Sequence, residues 1–254
     1  MITKSFRRDI ASLADSKGRK KLGAFVVEGS KCVLDTLDHF SLRYLIATQA
    51  WCDFNKVGGI VSSKIVIANR GEIGEMSSMS LAPDVMAVYD LPECQLFDAK
   101  NLKNTLVVAL DRVQDPGNLG TIIRTADWMG VTNILASHDT VDCFNPKVVQ
   151  ATMGAISRVK IIYGNLVEML SYFEEDTPIY GTFLDGENIY KAKLSNHGII
   201  VMGNEGRGIS DNVERMVNRR IMIPPYPLGR PTSESLNVAI ATAITLSQFR
   251  NRNF

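Results

Sequence analysis

The 254-residue chain is poor in histidine and cysteine and carries almost no net charge. Its three histidines, His39, His138 and His197, lie outside every motif described below, so no histidine base is on offer. The four cysteines, Cys32, Cys52, Cys94 and Cys143, are far apart, which excludes CxxC spacing for a metal or redox couple; no metal is expected. No run of 18 or more apolar residues occurs, so neither a membrane span nor a membrane partner is expected. The polar, basic N-terminus lacks the apolar core of a secretory leader, and a reducing cytoplasm is the expected location. A net charge of +1 excludes a global basic field. Neither G-x-G-x-x-G nor a Walker A loop is present, which argues against a nucleotide-dependent oxidoreductase.

Against these absences, 45% apolar residues suffice for a sizeable core. Charge is uneven: residues 1–22 hold seven basic residues against Asp9 and Asp15, a local patch of the kind that marks a polyanion footprint. Phe6, Ile10 and Leu13 predict a helix. D-S-K-G-R-K-K reads as a basic loop, A-F-V-V-E as a buried strand, and Ser30 as the cap of a helix with an apolar face of Val33, Leu34 and Leu37. Strand-like runs at 44–47, 65–68 and 85–89 complete a small α/β domain over 1–90, and the weakly patterned stretch 91–104 reads as a linker. From 105 to 254 strands and helices alternate. Strands are predicted at 106–110, 133–136, 179–182, 198–202 and 220–223, and helices at 119–129, 146–153, 166–174, 210–216 and 235–250. That alternation predicts a parallel sheet covered by helices, with ligands at the carboxyl ends of the strands.

Unusual loops follow those strands. G-N-E-G-R-G at 203–208 reads as a turn that lets a ligand approach the backbone, and Glu205 at its centre suits hydroxyls, an amine or a positive charge rather than phosphate. In D-P-G-N-L-G-T-I-I-R, Asn118 sits where it could cap a helix. Arg124 falls in an otherwise apolar stretch and needs a partner; a structural salt bridge and an anion-binding role both remain open. Ser235 and Asn237 stand at the start of the fifteen uncharged residues between Glu234 and Arg250, a helix that must be buried in a core or against another subunit. In N-P-K-V-V-Q-A-T-M-G-A, Lys147 faces either water or a phosphate.

Together V-Q-D-P-G-N-L-G-T-I-I-R-T-A, V-M-G-N-E-G-R-G-I and I-P-P…S-L-N-V-A resemble the three signature motifs of SpoU-type RNA methyltransferases of the SPOUT class. S-K-G-R-K-K-L-G-A-F-V-V-E-G resembles that family's small substrate-binding domain. The resemblance implies a parallel α/β domain with a trefoil knot, a homodimer formed through the C-terminal domain with the active site near the interface, and transfer of a methyl group from S-adenosylmethionine to a ribose 2′-hydroxyl. It implies ribosomal RNA ahead of transfer RNA as substrate. It places Gly203, Asn204, Gly206, Ile223 and Leu236 at the cofactor, joined by Leu184. Arg124 takes the central catalytic position, with Asn118, Glu205, Ser235 and Asn237 at the other polar positions. Lys17, Arg19, Lys20, Lys21 and Lys147 would hold RNA by charge and shape.

Two departures stand out. The loop P-P-Y-P-L-G-R-P-T-S-E is longer and richer in proline than the family pattern, and Gln150 stands where that pattern favours arginine. A non-catalytic RNA-binding relative is the alternative; the intact Arg124, Glu205 and Ser-Leu-Asn set argues against it. Arginine keeps its proton in almost any protein, so the expected role of Arg124 is to stabilise a developing alkoxide and grip the adjacent phosphate.

Overall fold

A computed structural model describes residues 2–57, 59, 62–93, 97–227 and 233–251. Cys94 and residues 228–232 of the proline-rich loop lie outside them. The chain divides by contact into two units, residues 1–93 with 142–157, and residues 94–141 with 158–254.

In the first unit helices α1 (Lys4–Ala11) and α2 (Ser16–Leu22) precede strand β1 (Ala24–Glu28) and helix α3 (Ser30–Thr36). Strand β2 (Leu42–Ala47), helix α4 (Gln49–Asn55), strand β3 (Ile65–Ile67), helix α5 (Arg70–Gly74) and strand β4 (Val85–Asp90) follow. The sheet order is β1-β4-β2-β3, antiparallel except for β2 with β3. Its core holds Phe25, Tyr89 and Trp51. The Tyr89 hydroxyl shares a hydrogen bond with Thr36 Oγ1 at 3.0 Å, and burial pushes its pKa up to about 12.

Three expectations change here. The stretch read as a basic loop is α2, and Gly18 lies inside it because a Cβ there would meet the Ser12 carbonyl oxygen at 1.9 Å. Gly29, not Ser30, is the N-cap of α3; the Ser30 hydroxyl instead accepts from Trp51 Nε1 at 2.7 Å. Leu34, assigned to the buried face, is half-exposed.

The second unit opens with helix α6 (Ala99–Leu102), within the stretch read as linker, and strand β5 (Leu106–Leu110). Helix α7 (Pro116–Trp128) and strand β6 (Asn133–Ser137) follow; after helix α8 (Pro146–Thr152), which belongs to the first unit, come strand β7 (Lys160–Gly164) and helix α9 (Leu166–Ser171). The unit ends with strands β8 (Ile179–Asn188) and β9 (Gly198–Met202), helix α10 (Asp211–Glu214), strand β10 (Arg219–Met222) and helix α11 (Val238–Arg250). All six strands are parallel, in the order β10-β8-β9-β5-β6-β7. The central strands β5 and β9 are buried at every residue, as their unbroken apolar runs require.

Helix α8 lies between β6 and β7 in sequence yet belongs to the first unit, whereas composition assigned 105–254 to one domain. Its segment supplies Phe144, Val149 and Met153 to the core around Phe25; the Phe25 and Phe144 ring centroids are 4.6 Å apart.

Helices α7 and α11 run parallel and are tied at both ends. Asn237 Nδ2 donates to Asn118 Oδ1 at 2.9 Å near their N-termini. Arg250 Nε donates to the Met129 carbonyl at 2.8 Å and Nη2 to that of Gly130 at 3.1 Å near their C-termini, meeting the carbonyls a helix end leaves unpaired.

Candidate active site

The start of α7 is set by Asp115, whose carboxylate accepts from the Asn118 backbone N–H at 2.7 Å, and by Pro116 in the first turn. Since Asp115 is the cap, the Asn118 side chain does not cap the helix. Its Nδ2 donates to Glu205 Oε1 at 2.8 Å while its Oδ1 accepts from Asn237. Asn237 in turn caps α11, accepting from Ala239 N at 3.0 Å and Ile240 N at 3.3 Å. A continuous chain of hydrogen bonds, Glu205–Asn118–Asn237, thus joins the loop after β9 to the starts of α7 and α11.

The loop at 203–208 is shaped by its own backbone. Asn204 and Gly208 exchange backbone hydrogen bonds at 3.0 and 2.9 Å. A Cβ on Gly203 would meet the Gly208 carbonyl carbon at 2.3 Å, so this glycine is required by the protein chain itself. Asn204 Oδ1 accepts from Gly206 N at 3.0 Å and Arg207 N at 3.1 Å, and its Nδ2 donates to the Arg112 carbonyl at 2.8 Å. Asn204, expected at the cofactor, is therefore engaged through both backbone groups and its side chain as the brace of the loop. Gly206 is exposed.

Arg124 is exposed on α7 and its side chain makes no hydrogen bond or ion pair among the described residues, so the structural salt bridge left open by the sequence is absent there. Helix rise places it roughly 9 Å along the axis from Asn118. The structure does not bring Arg124 into the Glu205–Asn118–Asn237 chain, so a substrate would have to connect the two. Ser235 is exposed and also outside that chain.

Of the apolar residues expected at a cofactor, Leu184 lies on β8, Ile223 just past β10 and Leu236 just before α11. Leu184 is 76% exposed and Leu236 47% exposed, and Ile223 just past β10 is half-buried. Leu184 stands on an irregular stretch of β8: the register against β10 jumps from Gly181↔Arg220 to Glu187↔Ile221, leaving residues 182–186 out of the ladder. Arg220 braces this stretch, with its guanidinium carbon 3.6 Å from the Phe183 ring centroid and a 2.6 Å bond to Asp185. That hydrogen bond holds the Asp185 carboxyl below its ordinary pKa.

In the first unit Lys17, Lys20 and Lys21 are exposed on α2, and Lys147 is exposed on α8. Arg19 is not: at 2% exposure it donates to Asp142 Oδ2 (2.6 Å from Nη2) and to the carbonyls of Leu13 (2.8 Å) and Ala14 (3.0 Å). The helical turn places it inward while its lysine neighbours face out. His39 and His138 are exposed, and His197 Nδ1 is 2.9 Å from Ser195 Oγ.

Sequence reasoning passed over Asp111, Arg112, Gln114 and Arg207, although all four lie in or beside the motifs. Asp111 is 3% exposed and accepts from Ser210 N at 2.6 Å. The signal available was a charged D-R pair directly after a wholly apolar strand.

Comparison with known proteins identifies the family. The family model described as "SpoU rRNA Methylase family" matches residues 105–247. The chain is 28% identical to the 23S rRNA (guanosine(2553)-2′-O)-methyltransferase of Bacillus subtilis, over 96% of this chain and 95% of that one. Among solved structures, a chain from Porphyromonas gingivalis assigned to the TrmH family of RNA methyltransferases is 39% identical, covers 99% of both chains and superposes with a TM-score of 0.89. An AdoMet-bound rRNA methyltransferase from Sinorhizobium meliloti is 27% identical, with a TM-score of 0.87 over 100% of this chain and 97% of that one.

Proposed function

The chain belongs to the SpoU rRNA methylase family, and from that premise we propose that it transfers a methyl group from S-adenosylmethionine to a ribose 2′-hydroxyl of ribosomal RNA. The observation that carries this reading is the Glu205–Asn118–Asn237 chain, which joins the polar residues of all three motifs. Ribosomal RNA is preferred to transfer RNA because the B. subtilis and S. meliloti relatives, matched across both units, are named for rRNA.

The residues fit the cofactor. Leu184 and Leu236 offer exposed apolar surface and Ile223 a half-buried one, and Glu205 offers negative charge toward a cation. S-adenosylmethionine, when bound, supplies a methyl group on a positively charged sulfur. What remains for the protein is to position a weak nucleophile in line and stabilise the charge it develops. Arg124 provides that stabilisation, because a planar guanidinium can donate to the alkoxide and to a neighbouring phosphate together while keeping its own proton; the proton released by the hydroxyl passes to that phosphate or to water. Asn118, Glu205, Ser235 and Asn237 hold the ribose and the cofactor ends of the site. Lys17, Lys20, Lys21 and Lys147 attract the RNA; Arg19, buried, does not.

The reading extends to a homodimer formed through the second unit, in the cytoplasm. It is supported by α11, which carries no charge between Val238 and Gln248 yet leaves Ile240 52% exposed, and by Trp128 on α7, 87% exposed. A trefoil knot belongs to the same reading, supported by a path that leaves β9, makes β10 beyond β8, and returns to lay α11 on α7.

Calorimetric titration with S-adenosylmethionine tests the proposal. Saturable binding by the wild type, abolished by Leu236→Arg with unchanged circular dichroism, is the expected outcome. Equal affinity in the variant would contradict the assigned pocket.

A further inference from the structure

A small pocket of about 160 Å³ opens beside the motif-two loop, lined by Arg112, Gln114, Asn204 and Arg207. Arg112 holds a left-handed backbone, φ 61°, unusual for a residue with a side chain. Two bonds fix it there: its N–H donates to Ser137 Oγ at 2.9 Å and its carbonyl accepts from Asn204 Nδ2 at 2.8 Å. The Arg112 side chain is only partly satisfied. Its Nε lies 3.4 Å from the buried Asp111 Oδ1, within ion-pair range but without a hydrogen bond. No other side-chain bond of Arg112 occurs among the described residues, and the side chains of Gln114 and Arg207 have none. Asn204 is already spent on the loop.

Two guanidiniums and an amide therefore offer donors to one cavity; among the described residues no carboxylate lines it, and Asp111 meets only Arg112 Nε. Such a donor set suits an anion with several acceptor oxygens, which arginine grips bidentately. The volume falls below the roughly 300–1,000 Å³ of sites that enclose whole small molecules, so one phosphate fits where a nucleoside does not. The wall residue Asn204 precedes Glu205, and Gln114 stands four residues before Asn118, so the cavity adjoins the hydrogen-bonded chain of the active site.

We propose that Arg112, Gln114 and Arg207 form a phosphodiester subsite that grips the substrate RNA strand beside the Glu205–Asn118–Asn237 chain. The assignment rests on the RNA methyl-transfer reading above. The subsite fixes the register of the strand, while the exposed lysines of the first unit supply unspecific attraction.

The test is retention of an unmodified 23S rRNA transcript on filters between about 50 and 200 mM salt, with calorimetric titration of S-adenosylmethionine alongside. Arg112→Asn with Arg207→Gln is the principal variant, because asparagine tolerates the left-handed backbone. RNA affinity is expected to fall about tenfold, the slope of log affinity against log salt to flatten by about 0.7–0.9, and cofactor affinity to stay within about twofold. Unchanged affinity and slope would overturn the subsite. So would a matching loss of cofactor affinity, which would assign the pocket to the cofactor's carboxylate. If the double variant fails to fold, Arg207→Gln alone, exposed and unbonded, must still flatten the slope; no change there overturns the proposal equally. A wild type that binds RNA but no S-adenosylmethionine would sink the methyl-transfer reading, while the salt slopes would still decide the subsite.

Discussion

Arg19 and Arg124 each lie on a basic or signature helix, and their surroundings give them opposite uses. Arg19, on α2, turns inward and spends its guanidinium on Asp142 and two carbonyls of its own unit. Arg124, on α7, stands exposed, its side chain with no hydrogen bond or ion pair among the described residues. A buried arginine with every direction answered holds the fold; an exposed one left unanswered is available to a ligand. Sequence context pointed both toward RNA, and only the side-chain partners separate them.

Substitutions can break that contrast on its stability side, in decreasing order of effect. Arg19→Met should cost roughly 2–4 kcal/mol, because two carbonyls and Asp142 lose a charged donor; Asp142, 39% exposed, can still be hydrated, which limits the loss. Fluorescence of Trp51, buried in the same unit, reports this unfolding. A cost below about 0.5 kcal/mol would mean that burial alone does not make Arg19 structural.

Asn237→Ala should cost about 1 kcal/mol as a lost cap and lower methyl transfer besides. Asn237→Asp sharpens the point. It keeps an acceptor for the Ala239 and Ile240 N–H groups but sets an oxygen against Asn118 Oδ1. Thermal stability should return while methyl transfer stays low; recovery of both would reduce Asn237 to a cap.

Smallest on this scale is Arg124→Ala, expected to leave unfolding within about 0.5 kcal/mol of wild type, as for a surface residue without partners.

The legible parts of the fold were those fixed by burial along one segment. Strands β5 and β9 match their predicted limits because unbroken runs such as Leu106–Leu110 can be buried on both faces. Strand β7 escaped because an edge strand, exposed at Lys160 and half-covered at Ile161, shows no such run. Helix α2 escaped because Gly18 reads as a turn; its reason for being glycine is the Ser12 carbonyl against it, a tertiary fact. The membership of α8 in the first unit depends on Phe144 and Val149 finding Phe25, more than a hundred positions away. In the site, family resemblance named Asn118, Glu205 and Asn237, but the bonds among them span 87 and 119 residues and had to be observed. The same holds for Asn204, whose role as brace follows from its bond to Arg112.

On the proposed reading, the guanidinium of Arg124, without a partner among the described residues, stabilises the transition state of methyl transfer. Single-turnover transfer from radiolabelled S-adenosylmethionine to an unmodified 23S rRNA transcript, wild type against Arg124→Lys, tests it most directly. The lysine variant is expected to transfer roughly 10²–10³-fold more slowly, with cofactor affinity and melting unchanged, because lysine keeps the charge but not the planar, paired donors. A lysine variant within a few fold of wild type would contradict it.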